Sequence, residues 1–276
     1  MRKVLLTRRT FLFTMEKAMF KDQLGRQVEL HVPPRRIVSL VPSQTELLAD
    51  LGLNDRVVGI TKFCVHPESW RKTKAIIGGT KQFDFTAIHA LNPDLIIANK
   101  EENYEAGIAE LSKHYPVWIS DIVTLDDALD MITQVGSMTQ TESKAHELVG
   151  SIRQSFQNLP RLQGLKTLYL IWRNPWMAAA SGTFIHEMIG LTGLKNSIAD
   201  RSRYPELTSD EIRQLNPELI LLSSEPYPFK ENHIAELQKL CPAARILLVD
   251  GEMFSWYGSR LLKFPAYLQT LRNTLS

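Results

Sequence analysis

Arg173 stands between two tryptophans in the stretch Trp172-Arg173-Asn174-Pro175-Trp176. A guanidinium flanked by rings sheds part of its water, and its rigid fork of donors fits a carboxylate or phosphate at two points. Tyr204, Tyr227, Phe254, Trp256 and Tyr257 add further rings to the same half of the chain. Cores draw mostly on Leu, Ile and Val, whereas Trp and Tyr suit surfaces that are apolar and still hydrogen-bond. The set predicts a wall for a large, partly apolar ligand such as a macrocycle. Lys62, Lys81 and Arg173 would meet anionic groups on its rim. His66 adds one imidazole, which alone reads as a hydrogen-bonding residue before a metal ligand.

The chain has no HExxH, no paired CxxC, no Walker loop and no Gly-x-Ser-x-Gly elbow. No catalytic residue, cofactor or resident metal is therefore expected. Cys64 and Cys241 lie in opposite halves and predict two separate reduced thiols. Net charge is +2, from 32 basic and 30 acidic residues, and this balance offers no footprint for nucleic acid. Apolar content of 44% and charged content of 22% are those of a globular protein. No apolar run approaches the ~20 residues of a membrane helix.

The elements that must hold these side chains follow from a repeat. Leu91-Asn92-Pro93-Asp94-Leu95-Ile96-Ile97 returns as Leu215-Asn216-Pro217-Glu218-Leu219-Ile220-Leu221, 124 positions later (215 minus 91). Each copy reads as a helix end, a turn and a buried strand, because proline cannot continue a helix and restricts the residue before it. Short continuous apolar runs suit parallel strands covered on both faces. A second echo pairs Thr45–Leu53 with His186–Leu194 in the same order. The expected fold is α/β, with two Rossmann-like lobes of parallel sheet. Residues 20–124 form the first lobe, 125–160 a helical connector and 161–276 the second lobe.

The connector carries apolar residues at Ala145, Leu148, Val149, Ile152 and Phe156, the stripe of an amphipathic helix. A helix over Thr141–Asn158 would span about 27 Å, enough to join the lobes as one rod. Lobes so joined should move little. Ser43 with Glu46 predicts a capped helix starting near Thr45. Ligands of open parallel α/β folds sit beyond the carboxyl ends of the strands. That places Pro42, Ser43, Lys62, His66, Thr80, Lys81, Asn99, Trp172, Arg173, Trp176, Tyr204, Tyr227, Phe254 and Trp256 around the site.

Thr7-Arg8-Arg9-Thr10-Phe11-Leu12 looks like the start of a twin-arginine export signal. The apolar segment that should follow is absent, so Met15 competes with Met1 as the start and no working signal is expected.

Several motifs resemble those of the helical-backbone metal receptor family. They are Phe20–Leu30 as an N-terminal hairpin, Ile37-Val38-Ser39-Leu40 before Pro42-Ser43-Gln44-Thr45-Glu46, Val57–Thr61, Gly78-Gly79-Thr80, Ala180–Phe184 and the two Asn-Pro repeats. Family members are substrate-binding proteins of ABC importers for cobalamin, haem and iron–siderophores. The likeness runs from about Phe20 to the C-terminus and is greatest to cobalamin binders. It implies two lobes joined by one long helix, and a corrinoid or other metal chelate held between them without chemistry. An iron–siderophore or haem receptor is the alternative, and a soluble sensor or chelatase-like enzyme a further one.

By position, Thr80, Asn99 and Tyr204 fall where cobalamin binders place tryptophans facing the ligand. The resemblance also implies one acidic residue per lobe for docking on a transporter permease. The matches are Asp210, with Glu211 beside it, and Thr86, for which Asp84 is the nearest acidic substitute. A monomer in the periplasm or cell envelope is the implied setting, with the cytoplasm as the alternative.

Overall fold

The computed structural model describes residues 16–275. The chain opens with an antiparallel hairpin, Glu16–Lys21 against Gln27–Val32. Buried Asp22 closes its turn by accepting from the backbone N–H of Leu24 and Arg26 and from Arg26 Nε.

A first sheet of five parallel strands follows. In spatial order they are Ala75–Ile76, Val57–Ile60, Ile37–Ser39, Leu95–Asn99 and Val117–Ser120. Every residue of Leu95–Asn99 is buried, as a continuous apolar run in a covered parallel sheet requires. The second sheet has Lys166–Trp172, Leu219–Ser223 and Arg245–Val249 in parallel. Its other side is mixed: Lys195–Asn196 pairs in parallel with the start of Lys166–Trp172, Trp176–Ala178 folds back antiparallel on its end, and Glu206–Leu207 pairs antiparallel with Trp176–Ala178. Each lobe thus has the expected parallel sheet, and in the second lobe a hairpin extends it.

The repeat is structural. The helices Phe85–Leu91 and Ser209–Leu215 end at Asn92 and Asn216, both left-handed with φ of 42° and 43°. Asparagine is among the few residues with a side chain that tolerate this conformation. In each copy the acidic residue after the proline ties the turn to the lobe's first strand. Asp94 accepts from the backbone N–H of Arg35 and Arg36, and Glu218 from that of Lys166. The basic side chain there caps the helix, Arg36 donating to the Leu91 carbonyl and Lys166 to that of Leu215.

The expected rod exists as the helix Glu142–Gln157, and it is doubled. A second helix, Leu125–Thr139, precedes it, capped reciprocally by Thr124 and Asp127. The two run antiparallel about a turn at Gln140. Gly136 lies so close to Ala145 that an added Cβ would fall 2.4 Å from its methyl group. Lys144 at one end of the rod donates to the Leu51 carbonyl of the first lobe. Phe156 at the other end stacks on Phe264 of the C-terminal segment, 5.8 Å between centroids.

The chain then crosses back. The 3₁₀ turn Ser259–Lys263 packs on the helix Pro42–Asp50 of the first lobe, ahead of the closing helix Phe264–Leu275. That first-lobe helix starts at Pro42 rather than Thr45, and Ser43 does not cap it. Proline at the first helical position presets φ there, and Glu46 is engaged by Arg260 instead. One continuous apolar core runs from Val28 to Leu271 and includes Leu47, Met131, Tyr169 and Phe264. Leu168 and Leu170, on the opposite face of their strand from Tyr169, belong to a smaller core confined to the second sheet. No helix among the described residues is long and apolar enough to cross a membrane.

Candidate functional site

A cavity of about 640 Å³ lies between the lobes, at the carboxyl ends of the strands. Pro42, Ser43, Lys62, Thr80, Lys81 and Asn99 line it from the first lobe, all six expected there. Of the rings and cation predicted in the second lobe, Tyr204, Trp256 and Tyr257 reach it.

Asn99 acts as a framework. It donates to the Ser120 carbonyl and hydroxyl, and its side-chain oxygen accepts the backbone N–H of both Glu101 and Glu102. This turn sets the two carboxylates on the cavity wall. Glu101 reaches across the cleft to Arg203, 2.9 Å. Glu102 is half-buried and also lines the cavity. Withdrawal from water, then the charges of Glu101 and Glu225, push its carboxyl up to about 7.

Trp256 is a floor rather than a free wall. It is buried, donates from Nε1 to Glu225 at 2.8 Å, and carries the Arg260 guanidinium 4.8 Å from its ring. Glu225 also accepts from Ser255. Its carboxyl is raised, chiefly by burial, despite these two donors. His66 sits just outside the cavity, edge-on to Trp256, with Nε2 3.1 Å from Glu252. Glu252 is itself held by Arg260 at 2.7 Å, so the imidazole faces a carboxylate already paired. Burial, with Glu101 nearby, raises the Tyr204 phenol.

Five predicted wall residues lie elsewhere, and the antiparallel hairpin explains most of them. The turn Arg173-Asn174-Pro175 reverses the chain instead of leading it into the cleft. Trp176 is thereby buried, stacked on Phe229 with 6° between planes. Arg173 lies 4.2 Å from the Trp176 ring and grips Glu236 with Nε and Nη2. The anion its fork selects belongs to this protein. Tyr227 packs on Trp172, Phe229 and His233. Phe254 is core, against Tyr169, Phe264 and Tyr267.

In their place the cavity is lined by Phe63, Ile171, Phe184, Ile185 and the carboxylates Glu101, Glu102, Glu225 and Glu252. Phe63 is 51% exposed and is the accessible large ring of the first lobe's wall. The carboxylates sit in loops that strand order identifies, but a search for rings and cations passes over them. Phe184 and Ile185 look like ordinary helix residues in the sequence. Among the described residues no group of three or more His, Cys, Asp or Glu side chains could hold a metal ion. Both cysteines are free and buried, Cys64 beside Thr45 and Thr61.

Residues 37–240 match the periplasmic binding protein family. The chain belongs to that family. It is 26% identical over 218 residues to an uncharacterized ABC transporter substrate-binding lipoprotein of Bacillus subtilis, covering 72% of this chain and 67% of the relative. It is also 26% identical over 194 residues to the vitamin B12-binding protein of Yersinia pestis, covering 68% of this chain and 69% of that one. Among solved structures, the periplasmic vitamin B12-binding protein of Vibrio cholerae superposes with a TM-score of 0.72 at 22% identity, over 88% of this chain and 98% of that one. The petrobactin-binding protein of Bacillus subtilis does so with a TM-score of 0.76 at 17% identity, over 95% and 99%. The named relatives are binding proteins.

In this periplasmic binding protein the residues named for transporter docking cluster at two helix starts. Thr86 and Asp210 each lie two residues past the capping residue, Asp84 and Thr208, of the repeated helices. Asp210 is exposed and pairs with Arg213. Asp84 spends one oxygen on the Ala87 N–H. Glu211 serves its own helix: the Thr208 backbone N–H, then Arg201, hold its carboxyl at about 2. The twin-arginine stretch and Met1 lie outside the described residues.

Proposed function

We propose that this protein captures a corrinoid-type metal chelate between its lobes and delivers it to an ABC importer in the cell envelope. The observation that carries the reading is the inter-lobe cavity itself. It combines apolar walls from Phe63, Ile171, Phe184 and Ile185 with polar groups from Ser43, Thr80 and Tyr204 at its edges. An apolar pocket with a few convergent polar groups is the usual form of a small-molecule site. The likeness to the vitamin B12-binding protein of Yersinia pestis supports the choice of a corrinoid over other chelates. The six first-lobe residues and Tyr204, Trp256 and Tyr257 are the proposed ligand contacts, with Phe63 added to them.

For the importer, Asp210 is the proposed contact of the second lobe and Asp84 that of the first. The ligand is bound as a whole and released unchanged, so no step of bond chemistry is assigned. The protein works as a monomer with its lobes as residues 20–124 and 161–276. The direct test is the absorbance spectrum of protein purified from its native host. Corrin bands support the reading. A Soret band or a ferric charge-transfer band, with no corrin, would replace the corrinoid by haem or a siderophore.

A further inference from the structure

Four carboxylates and two lysines line the cavity. Their partners decide which charges a ligand meets. Glu101 is neutralised by Arg203 and Glu252 by Arg260. Lys81 donates to the Glu101 carbonyl, and Lys62 stands exposed with its ammonium over Phe63. Both lysines are on the rim. Among the described residues two carboxylates are in no ion pair: Glu102 from the first lobe, which feels the Lys81 charge only from the rim, and Glu225 from the second.

Neutral donors reach only one oxygen of Glu225. Ser255 and Trp256 both approach Oε1, which leaves Oε2 as an acceptor. Among the described residues the Glu102 carboxylate has no hydrogen bond or ion pair; only its backbone N–H is engaged, by Asn99. Both line the same cavity, and the Glu225 charge is among those that raise the Glu102 carboxyl, after burial and Glu101. A carboxylate partly withdrawn from water and without a full set of donors favours a partner that supplies them. What relieves both is a ligand that brings donors or positive charge between them. A ligand rich in carboxylates would add a third negative group in the same place.

We propose that Glu102 and Glu225 together select a neutral or cationic, donor-bearing ligand and reject a polyanionic one. This rests on the reading of the cleft as a chelate site and names which chelates it takes. Of the corrinoids, those with peripheral amides fit, because amide N–H groups donate to carboxylates. Those with free carboxylate arms do not.

The test is a titration of the full protein with two pairs of probes, the members of each pair differing in charge and those of the first sharing one ring. One pair is a corrinoid bearing peripheral amides and the same ring bearing carboxylates. The other is a cationic ferric trihydroxamate and an anionic ferric citrate-type chelate. In at least one pair the donor-bearing member should bind at least about tenfold more tightly, which corresponds to ~1.4 kcal/mol. The double variant Glu102→Gln, Glu225→Gln should shrink that ratio toward one while still binding the amide corrinoid.

Preference for the anionic member of whichever pair binds, or an unchanged ratio in the double variant, overturns the proposal. So does failure of both donor-bearing probes to bind. If both corrinoids fail and the cationic hydroxamate binds in preference to the citrate-type chelate, the corrinoid reading falls and the charge selection stands.

Discussion

Glu46 of the first lobe and Arg260 of the C-terminal segment form a buried two-point ion pair, 2.7 and 3.0 Å, with side chains only 8% and 6% exposed. Arg260 also holds Glu252 on the cavity wall, and Lys263 adds a second cation on Glu46. The pair therefore ties the packing between the lobes to the floor of the cleft. Removing one partner strands a charge where water does not reach. Glu46→Ala should cost roughly 3–5 kcal/mol of stability, the usual penalty for breaking a buried pair. Denaturant unfolding measures it, and a loss below 1 kcal/mol would show the pair to be solvated.

That tie and the doubled connector predict lobes that stay in place. Hinge motion needs a few free backbone positions, whereas here two helices and a buried ion pair cross between the lobes. The radius of gyration from solution scattering should be the same with and without ligand. A marked compaction on binding would contradict the rigid arrangement.

The rings divide into two groups that mutagenesis can separate. Trp176 is 3% exposed and stacked on Phe229, away from the cavity. Trp176→Ala should cost about 3–5 kcal/mol of stability, as large core truncations do, and leave ligand affinity per folded molecule unchanged. Phe63→Ala should do the reverse, with roughly 1–3 kcal/mol lost from binding and little from stability. Exchange of these two outcomes would return the ligand wall to the hairpin.

Arg173 should behave as a partner of Glu236. The two side chains are 22% and 40% exposed, so their coupling in a double-mutant cycle should be modest, up to about 1 kcal/mol. Arg173→Lys should leave ligand affinity as it is. A tenfold loss of affinity in that variant would mean that the guanidinium reaches the ligand after all.

Glu102 gives a pH signature. Its carboxyl titrates near 4.5 when unperturbed and is raised to about 7 in the folded chain. Between these values the folded state holds a proton that the unfolded state has lost, so this group lowers stability as pH rises from about 4.5 to about 7. Glu102→Gln should therefore raise the Tm at pH 8, and the gain should fade as pH falls below 7 and vanish under about 4.5. A gain that is constant with pH would place the Glu102 carboxyl in water.

Much of this arrangement is legible in residue order. Asn92 and Asn216 mark the two lobes because a left-handed cap followed by proline leaves a local imprint. The strands Leu95–Asn99 and Leu219–Ser223 follow from their apolar runs, and the six first-lobe residues lining the cavity from the rule that ligands sit past the strand ends. The second lobe resisted the same rule because Trp172 begins a hairpin and not a crossover. Pairing direction depends on which strand lies alongside, which local periodicity does not carry. The long-range partners were likewise out of reach. Glu46 and Arg260 are 214 residues apart, and so are Arg173 and Glu236 on the scale of any local motif, at 63.

The most direct test of the account is calorimetric titration of the full protein with an amide-bearing corrinoid, run alongside Phe63→Ala. The account predicts saturable one-to-one binding by the parent and an affinity reduced by about tenfold or more in the variant, a loss of at least ~1.4 kcal/mol. No saturable binding by the parent, or equal binding by parent and variant, would contradict a corrinoid site in the inter-lobe cavity.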